Sequence, residues 1–208
     1  MSFTRSGGLA ALVAGLLLLA GCSAVPAEKL AGQPGIGVLA QKGAIEVENV
    51  AITPDDLVPV AEPTRISVAG LVSNMPVEPQ GLDARGQMAL PVSPSVAGWY
   101  RFASAPASRS GSTVIASHVD AIGEGLGPFA QLRNVPVGTE VTIVDSAGVT
   151  HVYRVTTIER IEKEVVPWND YFSTAGAPRL VLVTCGGEYD PAVGSYDDNY
   201  IVTAEKVS

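Results

Sequence analysis

Two cysteines and two histidines are all that this 208-residue chain offers of the side chains that most often bind metals or act as thiol and imidazole catalysts. So few, at no recognisable ligand spacing, imply no metal or other cofactor. Charge is sparse as well, at 16% of residues, with 13 Lys and Arg against 21 Asp and Glu. No stretch supplies the clustered basic surface that a phosphate backbone requires, so nucleic acid is not an expected partner. Aromatics make up only 6%, and no segment repeats at a fixed period. The apolar run from Gly7 to Ala20 falls short of the ~20 residues that a membrane-spanning helix prefers.

What is present is small, apolar and turn-rich: 47% hydrophobic residues, 22 Gly and 15 Pro. That composition fits one globular domain plus a leader, built of strands and turns rather than a helical bundle. Seven β-branched runs punctuate the second part of the chain: Ile66 to Leu71, Gly98 to Phe102, Thr113 to Ser117, Glu140 to Val144, His151 to Ile158, Arg179 to Cys185 and Tyr200 to Ala204. They predict a barrel or sandwich. Asp145-Ser146-Ala147-Gly148 reads as a hairpin turn, and Gly127 to Asn134 and Trp168 to Thr174 as short helical segments.

The N-terminus divides into two further pieces. Arg5 and the apolar run after it read as an export signal over residues 1–21, closed by Leu19-Ala20-Gly21-Cys22. That tetrapeptide resembles a bacterial lipobox, which implies cleavage before Cys22 and a diacylglycerol on its thiol. Two acyl chains hold a protein at a membrane without a span. Residues 22–60 mix Ala, Pro, Gly and acids without sustained period, as a tether does, and the domain follows over 61–208. The chain is therefore expected outside the cytoplasm, on the outer face of the cell membrane.

Lipidation of Cys22 leaves Cys185 without an intramolecular partner, although exported proteins ordinarily pair their thiols. Burial as an inert side chain is one explanation. Its place is another: Cys185 closes the run Arg179 to Thr184 and precedes Gly186-Gly187, which predicts a strand-to-loop junction open to substrate. A thiol nucleophile needs an imidazole or cation to favour thiolate. His118 ends the run Ser112 to Ser117 and is the candidate, while His151 follows a hairpin turn and reads as a solvated strand residue.

Four stretches carry a family resemblance. They are Gly98-Trp99-Tyr100; Ser117-His118-Val119-Asp120 against Ala-Gly-His-Val-Asp; Gly127-Pro128-Phe129-Ala130-Gln131-Leu132; and Leu182-Val183-Thr184-Cys185-Gly186-Gly187 against Leu-Val-Thr-Cys. In this order they resemble a sortase catalytic domain, most like the actinobacterial class F group. The resemblance implies a mainly β, eight-stranded barrel with short helices. It also implies a cysteine transpeptidase that cuts an LPXTG-like C-terminal sorting signal through a Cys185 thioester, with His118 as its partner and general acid. Its partners would be proteins bearing that signal and a cell-wall or pilin amine acceptor. Asp120 is read as a turn carboxylate without a catalytic role.

One departure stands out. The family's third residue is an Arg on the strand after the Cys loop, and here that segment reads Ser195-Tyr196-Asp197-Asp198-Asn199-Tyr200-Ile201. Carboxylates so placed would disfavour thiolate and cannot donate to an oxyanion. Arg179 lies too far back along its strand to substitute, which leaves Arg101, Arg109 or Asn199 to reach in. The same carboxylates support an alternative, a sortase-fold lipoprotein that binds peptide without turnover. An L,D-transpeptidase is disfavoured, because its Ser-His-Gly-Cys signature is absent.

Overall fold

The computed structural model describes residues 60–207. The signal segment, Cys22 and most of the tether lie outside them. Ten strands are formed: β1 Pro63–Val68, β2 Val72–Gln80, β3 Ala97–Tyr100, β4 Ser112–Ala116, β5 Asp120–Ala121, β6 Gly125–Leu126, β7 Glu140–Asp145, β8 Thr150–Glu162, β9 Arg179–Asp190 and β10 Ser195–Lys206. Eight of them close into a barrel in the order β1-β2-β3-β4-β9-β10-β8-β7, with β7 pairing back onto β1, while β5 and β6 form a small separate ribbon. The expected eight-stranded barrel is the observed fold. A 3-10 helix over Pro128–Asn134 and one α-helical turn, α1, over Trp168–Tyr171 occupy the two segments expected to be helical. Among the described residues no helix is long and apolar enough to cross a membrane.

Alternation along the strands sorts the apolar residues into two layers. Residues such as Ile115, Leu180, Leu182, Val202 and Ala204 point inward and join Trp99, Phe129, Leu132 and Tyr153 in the barrel core. Their odd-register neighbours Val114, Ala116, Val181, Val183 and Ile201 point outward and form a second buried cluster. Successive strand residues face opposite sides, so sheet residues buried on both faces read as continuous apolar runs. The outer layer is covered by Met88 and Leu90 from the β2–β3 connection and by Val166, Tyr171 and Phe172 from the β8–β9 connection.

The sequence reading did not anticipate β2, which contains Pro76 and Pro79. Proline removes a ladder donor and is disfavoured where a strand is paired on both sides. Here the pairing is divided: Val72 to Pro76 pairs with β1, and Val77 to Gln80 pairs in parallel with β3. Each half therefore has a free side on which a missing N–H goes unnoticed. The hairpin turn at Asp145 to Gly148 forms as expected, with Gly148 N–H donating to the Asp145 carbonyl at 3.0 Å.

His151 departs from the expectation of a solvated side chain. It is only 6% exposed, and its Nε2 lies 2.8 Å from Asp145 Oδ2. Asp145 Oδ1 also accepts from the N–H groups of Ala147 at 3.0 Å and Val149 at 2.9 Å. Both residues face the carboxylate across the tight β7–β8 turn, so the turn draws the imidazole inward. Burial pushes the Asp145 carboxyl up, but the hydrogen bonds from His151, Val149 and Ala147 outweigh it and leave the pKa below the ordinary carboxylate value.

A carboxylate depressed in the folded state contributes stability above its unfolded pKa of ~3.9 and loses that contribution as pH falls through the lower folded value. The parent should therefore be more stable than Asp145→Asn at neutral pH, by about 1–3 kcal/mol for the lost charge-assisted bonds. The difference should shrink as pH is lowered from 5 toward ~2. Urea midpoints measured across that range check it, and a difference that stays constant with pH would contradict the assignment.

Candidate active site

β4 and β9 run side by side in parallel, from Ser112↔Arg179 through Ala116↔Val183. The alignment continues past the end of β4, because Ser117 N–H donates to the Val183 carbonyl at 3.1 Å and the Thr184 hydroxyl donates to the Ser117 carbonyl at 2.9 Å. The next residues in step are His118 and Cys185. Both continue the outward-facing parity of Val114-Ala116 and Val181-Val183. Both are partly exposed, at one end of the covered outer layer. The two candidates singled out in the sequence thus lie at successive positions along neighbouring segments, His118 two residues past the end of β4 and Cys185 within β9.

Cys185 does not mark the end of its strand, as the sequence had suggested. β9 continues to Asp190 and forms a long hairpin with β10. Cys185 is partly exposed although the chain does not leave the sheet there. Just beyond it, Gly187 has φ +83°, and a Cβ there would sit 1.9 Å from an Asp197 carboxylate oxygen. Only glycine fits both the backbone and the space.

The loop after His118 is braced to this hairpin. Tyr196 donates its hydroxyl to Asp120 Oδ2 at 2.6 Å, a tie between the His118 loop and the β9–β10 hairpin. That bond, with partial burial and the nearby charges of Asp120 and Cys185, pushes the Tyr196 phenol up to about 12. Asp120 is therefore more than a solvated turn carboxylate. Neither residue's role was legible, since nothing in the sequence pairs positions 120 and 196.

Asp197 and Asp198 are not loose charges beside the thiol. Asp197 Oδ1 accepts from Glu188 N–H at 2.8 Å and caps the bulge at Gly187. Asp198 is buried and receives Arg160 Nε from β8. Register puts Tyr200 opposite Arg160, and Asp198 two residues before it, on the face of the sheet reverse to that of Asn199 and Cys185. Arg160 is the guanidinium of this neighbourhood, and the sequence reading missed it because it precedes Asp198 by 38 residues. Arg179 is held at the far end of β9, its Nε donating to Ser112 Oγ at 2.9 Å. Arg101 stacks over the Phe102 ring at 5.0 Å.

The arrangement offers a partly exposed thiol and, two residues past the end of the adjoining strand, a partly exposed imidazole. A thiol with an imidazole within reach can exchange a proton with it, leaving thiolate and imidazolium. Comparison with known proteins gives this chemistry a family. Residues 66–207, more than half of the chain, match the model of the sortase domain family. The chain belongs to the sortase family.

Solved structures agree in fold. Sortase A from Corynebacterium diphtheriae is 21% identical with a TM-score of 0.50, covering 72% of this chain and 61% of its own. Sortase C-1 from Actinomyces oris is 21% identical with a TM-score of 0.51, covering 74% of this chain and 77% of its own. Sortase C1 from Streptococcus agalactiae is 18% identical with a TM-score of 0.53, covering 70% and 67% respectively. The chain thus spans less than two thirds of the length of the diphtherial enzyme. None of the curated proteins matches.

Proposed function

We propose that the protein is a cysteine transpeptidase that acts on C-terminal sorting signals of the LPXTG type, with Cys185 as nucleophile and His118 as its proton partner. The observation that supports this most directly is the pairing of β4 with β9, continued by Ser117 and Thr184, which sets His118 and Cys185 at the next positions along the two segments of a sortase-family barrel. Cys185 thiolate adds to the Thr-Gly carbonyl of the signal. The intermediate collapses to a thioester as the C–N bond breaks, and the leaving amine takes a proton from the His118 imidazolium. An acceptor amine, from cell wall or pilin, then attacks the thioester, gives up a proton and restores the thiol. The four sequence stretches ally the chain most closely with class F.

The direct test is intact-mass analysis of the full-length chain after incubation with a panel of LPXTG-like peptides. An added mass equal to the acyl fragment, removed by hydroxylamine, is the expected result. A chain whose Cys185 is free to react with iodoacetamide but which gains no acyl mass from any peptide would overturn the proposal.

The same reading places the protein outside the cytoplasm, held to the membrane through lipid on Cys22. Replacement Cys22→Ser is expected to move the protein from the membrane pellet to the soluble fraction, since the anchor consists of the two acyl chains on that thiol. A Ser variant that sediments with membranes as the parent does would remove the lipoprotein assignment and leave the transpeptidase assignment standing.

A further inference from the structure

A tetrahedral intermediate on Cys185 carries a negative oxygen, which needs a donor at about 2.7–3.1 Å. Ionised Asp197 and Asp198 cannot donate. Arg160 is occupied by Asp198 on the reverse face, and Arg179 by Ser112 at the far end of the strand.

Asn199 is placed differently. It stands directly across from Cys185 in the β9–β10 ladder. Ile201, two residues on, lies in the outer cluster with Val181 and Val183, so Asn199 and Cys185 share the outward face. Directly opposed residues have their Cβ atoms ~4.5–5.5 Å apart, within reach of a carboxamide. On its other side Asn199 faces Ile161 of β8, an apolar side chain with nothing to accept a hydrogen bond. Asn199 is only 6% exposed. The carboxamide lies on the face of the sheet that carries the thiol, opposite Cys185.

Resting on the transpeptidase reading, we infer that Asn199 is a catalytic residue, the oxyanion donor that serves where the family's Arg is lacking. As Cys185 Sγ bonds to the carbonyl carbon, the C=O π pair moves onto oxygen, and Asn199 Nδ2–H donates to that oxygen without giving up its proton. Collapse returns the pair to the C=O bond and expels the amine protonated by His118. A neutral donor makes no demand on the protonation of its neighbours, whereas an arginine here would have to coexist with the bound Arg160–Asp198 pair one layer away.

The test compares two reactions of the same sulfur in the full-length chain. Thioester formation from an LPXTG-like peptide passes through an oxyanion, while alkylation by iodoacetamide displaces iodide at a saturated carbon and forms none. Asn199→Leu keeps the volume and removes the donor; it should lower the acylation rate ~10²–10³-fold and leave alkylation as in the parent. Asn199→Ser, which keeps a shorter O–H donor, should retain a rate between the two. Acylation unchanged in Asn199→Leu overturns the assignment, and so does a parallel fall in both reactions, which would mark Asn199 as a support for the strand. A parent that is alkylated but never acylated removes the transpeptidase reading, and this inference with it.

Discussion

Replacement of Cys185 by alanine is expected to abolish the acyl adduct outright, and replacement of His118 to slow its formation by ~10²–10⁴-fold. The two effects differ in kind. Without sulfur there is no atom to carry the thioester, so no residual rate should remain. Without imidazole the thiol persists, but the thiolate loses its counter-charge and the leaving amine its proton source. A base in solution can take the thiol proton that imidazole would take, so His118→Ala should regain part of its rate as pH rises. Single-turnover acylation across pH 6–9 measures both effects. A Cys185→Ala protein still acylated like the parent, or a His118→Ala protein slowed less than tenfold, would displace these residues from their assigned roles.

The largest expected loss of stability lies in the barrel wall. Trp99 is 1% exposed and sits in β3, a strand of four residues that pairs with β4 only at Gly98↔Ala116 and Trp99↔Ile115. Its indole lies in the core cluster and donates from Nε1 to the Ser104 carbonyl at 3.3 Å. Truncation to alanine removes the largest fully buried side chain and leaves that carbonyl without its donor. Such Trp→Ala changes cost about 3–5 kcal/mol, a large share of the 5–15 kcal/mol that holds a typical domain together. The denaturant midpoint should fall sharply with little change in slope. A loss below ~1 kcal/mol would mean that the barrel closes without this side chain and refills its space.

Much of the barrel was legible because β-branched runs and turn residues are local signals. The runs at Thr113 to Ser117, Glu140 to Val144 and His151 to Ile158 each fall on an observed strand. What failed was non-local. β2 was hidden by prolines that matter little when each half of a strand has one paired side. His151 was misjudged because its partner, Asp145, was counted only as a turn residue. The candidate site divides the same way. His118 and Cys185 could be nominated from their positions at the ends of apolar runs. Yet the ties of Asp120 to Tyr196, of Asp198 to Arg160 and of Asp197 to the Glu188 N–H depend on register that no single stretch of sequence encodes. Those partners also answer the objection raised by the acidic pair. One carboxylate caps a bulge, the other binds a guanidinium on the reverse face, and the reading as a non-catalytic binder loses the feature that recommended it.

The parallel pairing of β4 with β9 has a consequence in time. Ser117 and Thr184, the pair that brings His118 into step with Cys185, are 67 residues apart in the chain, and no shorter-range contact can substitute for that pairing. The intervening chain holds the ribbon, the 3-10 helix and the β7–β8 hairpin. Contacts of such long range form late and slowly, since loop closure precedes any compensating gain. On the proposed assignment, a chain whose β4 and β9 have not yet paired carries its cysteine and histidine as two unrelated side chains, and the thiol it presents to its surroundings has no base beside it.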